Sequence, residues 1–245
     1  MGISGIALGP PLDMEKLITL ISVLFVTVAA QAEETPFLVC QRPIVQQAIA
    51  LAQQTVQSTS YKVKPRAKQY TSDLRDDISA IELLEKTVFK KKVFDLQYDV
   101  VIGASISFDK GSTPSIRIYQ DTIKDLNALE KPKLAHLFTM THEMGHMVQG
   151  VWQDHDSKKL TPHGMISLDG DQDHYNLWHS ETDCIGVELM YQAGLRDFSA
   201  VAPALDSIRK ECYELRDKPF CDRAYEIRSR SVLEYLKNNP ELAEQ

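Results

Sequence analysis

Of the seven histidines in this 245-residue chain, only His142 and His146 stand four apart, within Thr141-His142-Glu143-Met144-Gly145-His146. Residues four apart share one helical face, so both imidazoles of this H-E-x-x-H can reach a single cation. Neutral imidazole suits Zn²⁺, and a glutamate one position after the first ligand projects toward a metal-bound water. Its carboxylate can take that water's proton while the metal lowers the water's pKa towards ~7. The neighbours Met140, Met144, Met147, Val148 and Val151 are too apolar for a solvent-facing helix. Burying His142, Glu143 and His146 among them is costly unless they are paired or liganded.

The third ligand must come from elsewhere. A metzincin would continue H-E-x-x-H-x-x-G-x-x-H, yet positions 149 and 152 hold Gln149 and Trp152. Further on comes Trp178-His179-Ser180-Glu181-Thr182-Asp183-Cys184-Ile185-Gly186-Val187-Glu188-Leu189-Met190. With the H-E-x-x-H, this stretch resembles the gluzincin metallopeptidases, which carry E-x-x-x-D on a later helix. The segment Thr182 to Met190 is similar to that of the exported and membrane-bound members related to prenyl-protein proteases. The resemblance covers these two helices alone. It implies a zincin-like fold, a zinc cofactor and hydrolysis of a peptide or protein substrate. It also implies that Asp183 hydrogen-bonds a zinc histidine. The chain departs from the family four residues before Asp183, where His179 replaces the ligand glutamate. That spacing puts His179 and Asp183 on one face, which favours His179 as third ligand and Asp183 as the group that fixes a histidine tautomer. Glu181 is the competitor, preserving the ligand type but pointing about 160° away from His179 on an ideal helix. Three neutral ligands make the metal a stronger Lewis acid than two plus a carboxylate.

Other groups carry weaker signals. Asp169-Gly170-Asp171-Gln172-Asp173 opens like an EF-hand calcium loop, but His174 and Ser180 occupy the positions that need Gly and a bidentate Glu. His174 and Tyr175 are candidate oxyanion donors. His136, His155 and His163 read as ordinary polar positions. Ser115 to Tyr119 reads as an edge strand along which a substrate backbone could pair.

The elements that position these groups follow from periodicity. Helical spacing covers Ile44–Val56, Ile78–Val93, Leu134–Trp152, Leu177–Tyr191, Ala200–Leu215 and Arg223–Leu236. Strand patterns occur at Tyr98–Ile102, Ser105–Phe108 and Ser115–Tyr119, with Asp109-Lys110-Gly111-Ser112 as a turn. Polar, Pro-interrupted Gln57–Arg75 and Pro/Gly/Asp-rich Thr161–Asp173 read as loops. The fold class is α+β, helix-dominated, with a small sheet ahead of the H-E-x-x-H helix.

Residues 1–32 read as a signal peptide: Lys16, then apolar Leu17–Ala30, then an Ala30-Gln31-Ala32 exit. The run spans roughly 21 Å as a helix, short of a ~30 Å hydrocarbon core, so no stable membrane span is expected after cleavage. The stretch before Met14 reads as an upstream extension, with Met14 an alternative start. Residues 33–245 then form one domain, secreted or periplasmic. All four cysteines lie in that part. Cys212 and Cys221 bracket a short segment that Lys218-Pro219 can bend, which favours Cys212–Cys221 and leaves Cys40–Cys184. The net charge of −7, with no basic cluster, argues against a nucleic-acid partner. An exported zinc metallopeptidase is the leading expectation. A zinc hydrolase acting on a non-peptide substrate and a non-catalytic zinc-stabilised binding module are the rival classes, the latter disfavoured because it has no need of Glu143.

Overall fold

Apolar positions at helical spacing set the first element. α1 (Arg42–Ser58) buries Val45, Ala48, Ile49, Ala52 and Val56, the rhythm of a one-faced helix. The computed structural model describes residues 39–64, 74–99, 104–107, 112–155 and 172–242. α2 (Arg75–Leu84) runs into a π-helical turn, Glu85–Phe89, so the helix expected to reach Val93 stops short. There the Glu85 carboxylate accepts the Val93 and Phe94 N–H groups at 2.8 and 3.0 Å, satisfying buried donors where helix gives way to sheet.

β1 (Asp95–Asp99), β2 (Ala104–Ser107) and β3 (Ser115–Tyr119) form one sheet in the order β1-β3-β2. β1 runs parallel to β3 and β2 antiparallel to it. Ser115–Tyr119 is therefore the central strand, which corrects the edge-strand reading. Its alternation reflects one buried face, Ile116 and Ile118 inside and Arg117 outside. Alternation reports which face meets the core and is silent about lateral neighbours. The strand positions expected at 100–102 and 108, and most of the turn at 109–112, lie outside the described residues.

The rest is helical: α3 (Gln120–Asn127), α4 (Pro132–His155), α5 (Gln172–Gln192), α6 (Val201–Leu215) and α7 (Lys218–Asn238), then a 3-10 turn, Pro240–Leu242. α4 is the central helix, packing on α1, α2, α3, α5, α6 and β2. It is buried continuously from Ala135 to Gly145 and again from Met147 to Gln149, as an element surrounded on all sides must be. α5 crosses it closely at Gly145. A Cβ there would sit 2.8 Å from Thr182 Cγ2 and 2.9 Å from the Thr182 carbonyl oxygen, so only glycine permits this approach. α7 begins at the Lys218-Pro219 step. Asp217 caps it by accepting the Phe220 N–H at 2.9 Å, and Pro219 occupies the first turn, where no backbone donor is needed.

Two covalent ties join these elements. Cys40 is bonded to Cys184 and Cys212 to Cys221, the connectivity favoured from sequence. A buried polar tie runs parallel to the first: Glu188 on α5 accepts from Arg42 (2.9 Å) and Gln46 (3.0 Å) of α1 and from the Tyr235 hydroxyl (3.0 Å) of α7. The architecture is helix-dominated with a small three-stranded sheet, compatible with α+β. Among the described residues, no helix is long and apolar enough to cross a membrane. The leader expected at residues 1–32 lies outside the described residues.

Candidate metal centre

α4 and α5 together place three imidazoles at one point. His142, His146 and His179 each offer a ring nitrogen, and these atoms lie within 4.8 Å of one another. The His142 and His179 rings are stacked at 5.9 Å, while His146 stands edge-on to both, at 4.8 and 5.2 Å between centroids. Each Nδ1 has its own partner. That of His142 meets Asp183 Oδ1 at 2.7 Å, that of His146 meets Gln149 Oε1 at 3.2 Å, and that of His179 meets the Tyr175 carbonyl at 3.1 Å. With all three Nδ1 atoms engaged, the three Nε2 atoms are the groups left to converge on a cation. The donor set therefore fits a metal ion, and three imidazoles suit a first-row transition ion such as zinc.

Burial and charge tune these groups. Desolvation pushes the Glu143 carboxyl above its ordinary value, opposed by His142, by Arg228 and by a hydrogen bond from the Ile106 N–H of β2. Desolvation drives His146 well below the usual imidazole range, aided by the neighbouring His142 and His179. His179, at the partly exposed mouth, is lowered to about 3 by desolvation and then by the Arg228 charge. Imidazoles that resist protonation stay available as neutral ligands. Burial alone would raise Asp183, but Arg228 and His142 outweigh it and hold it down to about 2. Arg228 grips both Asp183 oxygens, Nε and one terminal nitrogen each at 2.8 Å, a fork that fixes the carboxylate which in turn holds His142.

The sequence-derived set is largely brought together. His142, Glu143, His146, His179 and Asp183 occupy one region, whereas Glu181 faces Gln149, at 2.5 Å from its Nε2, and is not among the converging groups. Tyr175 packs its ring on His179 at 4.3 Å, and Trp178 stacks on His146 at 4.4 Å. His136 is not an ordinary polar position. It is fully buried between Asp77 at 2.6 Å and Asn127 at 3.1 Å. The side chains of His155 and His174, all of His163, and the Asp169–Asp171 part of the suspected calcium loop lie outside the described residues. Gln172 and Asp173 begin α5.

Sequence reasoning missed Arg228 and the role of Gln149. Arg228 reaches the site from a separate helix and carries no local signal. Gln149 stands three residues after His146, one turn on, and that spacing could have marked it as a partner for the ring. No family model, curated protein or solved structure matches the chain.

Proposed function

We propose that the chain is an exported zinc-dependent metallopeptidase of the zincin type, with His142, His146 and His179 as ligands and Glu143 as general base. The supporting observation is the convergence of three imidazoles whose Nδ1 atoms are all engaged, with Glu143 next to the first of them on α4. A bound zinc ion would supply Lewis acidity toward a carbonyl and make water nucleophilic near neutral pH. Glu143, 5% exposed and held by the Ile106 N–H, takes the proton of the attacking water and passes it to the leaving amine nitrogen. A peptide pairs its backbone beside β2, the outer strand that packs on α4, in place of the central Ser115–Tyr119. Two disulfides and the leader-like residues 1–32 support export to an oxidising compartment.

Elemental analysis of residues 33–245, with the Glu143→Gln variant alongside, tests this reading. About one zinc per chain is expected in both proteins, with cleavage of a mixed peptide library by the wild type alone. Removing the metal with a chelator should abolish cleavage and zinc should restore it. No transition metal in either protein, or full cleavage by Glu143→Gln, would refute it. His179→Ala should abolish stoichiometric zinc while Glu181→Ala, though binding more weakly, keeps most of it at saturating zinc, and the reverse would move the third ligand to Glu181.

A further inference from the structure

Glu181 is fully buried on the helix that carries His179, and it meets an amide. Gln149 Nε2 donates to Glu181 Oε2 at 2.5 Å and to the Trp178 carbonyl at 3.1 Å. A carbonyl only accepts, and so does a carboxylate, so the NH₂ end of the Gln149 side chain must face them. Its Oε1 is thereby turned toward the Thr182 hydroxyl, at 2.7 Å, and His146 Nδ1, at 3.2 Å. Thr182 Oγ1 also lies 3.3 Å from that ring nitrogen, but its hydroxyl proton has the nearer acceptor in Gln149. An acceptor facing Nδ1 requires the proton to be there, which leaves the Nε2 lone pair bare. Gln149 is itself 1% exposed, so its orientation is held in the core and not sampled by solvent.

We infer that Glu181 and Gln149 are positioning residues, a relay of carboxylate, amide and imidazole that sets His146 in its Nδ1–H tautomer. The two α4 ligands are thus held differently. His142 meets a carboxylate directly, with Arg228 matching the charge, whereas His146 meets a neutral amide whose direction is set by groups behind it. Only the last step, delivery of Nε2 to a cation, rests on the metallopeptidase reading; the tautomer itself is a property of the metal-free protein.

Nitrogen-15 NMR of the metal-free wild type, reading two-bond correlations within the imidazole rings, tests the relay without any variant. His146 is expected to have a protonated Nδ1 and a bare Nε2, and an Nε2–H tautomer would overturn the inference. Zinc competition against a chromophoric chelator provides the second measurement. Gln149→Met and Glu181→Leu should each weaken zinc binding by roughly 10- to 100-fold, with the Co²⁺-substituted spectrum altered. Unchanged affinity in both folded variants would overturn it, as would complete loss of zinc in Glu181→Leu with full affinity in Gln149→Met, the signature of Glu181 as a direct ligand. Wild type that shows the Nδ1–H tautomer yet binds no zinc would keep the relay and remove the metallopeptidase reading.

Discussion

Arg228 is a cation in the core whose chief counter-charge is Asp183, itself fully buried. Desolvation works against the guanidinium, and the carboxylate more than restores it, so the pair stands only as a pair. Arg228→Leu should therefore destabilise the fold by ~3–5 kcal/mol, because it leaves a buried carboxylate uncompensated. Adding Asp183→Leu should recover much of that loss in urea unfolding while leaving zinc binding weakened, since His142 stays without its acceptor. Equal instability of the single and double variants would contradict this account. The same pair marks the boundary of what could be read without coordinates. That His142, Glu143, His146, His179 and Asp183 come together was legible because these residues recur at helical spacing within two segments. Arg228 was not, because it meets Asp183 across 45 positions of chain and belongs to no repeating pattern. What Glu181 meets was not legible for a related reason: its ligand-like chemistry is visible in sequence, and the Gln149 amide beside it is not.

Between elements, the contact of α3 with α6 carries its own titration. Glu211 on α6 is buried and accepts from Thr122 Oγ1 of α3 at 3.0 Å. Desolvation, opposed by that bond and aided by Asp125, Glu214 and Asp121, pushes its carboxyl up to about 7 from 4.5. The folded protein thus keeps a proton that the unfolded chain releases. This group's contribution to stability is full below the unfolded value and is lost as pH rises to the folded one, a decline of ~3 kcal/mol between about pH 4.5 and about pH 7. Glu211→Gln should remove that decline, so the variant gains on the wild type as urea midpoints are followed from pH 4.5 to 8. Parallel curves would show that Glu211 does not titrate in this window. Element boundaries show why some packing could be anticipated and some could not. The rhythm of α1 and the strand of Ser115–Tyr119 follow from side-chain alternation, which depends on local geometry. That β3 lies between β1 and β2, and that α2 ends in a π-helical turn closed by Glu85, are set by residues distant in sequence or by a side chain doing backbone work.

At the scale of the whole chain, the two disulfides differ greatly in span, with sequence separations of 144 and 9. In the chain-entropy account, the first removes about 5 kcal/mol of freedom from the unfolded state and the second about 2.5 kcal/mol. The long one also ties Cys40, two residues before α1, to Cys184, the residue following Asp183 on α5. Replacing Cys40 and Cys184 with alanine should therefore lower the thermal midpoint more than replacing Cys212 and Cys221. A further consequence concerns the order in which the thiols meet. The first cysteine pairs with the second and the third with the fourth. A chain threaded N-terminus first into an oxidising compartment can complete each bond before the next thiol arrives. Such a protein depends on an oxidase and has little need of a shuffling enzyme, because the connectivity is written in the sequence of arrival.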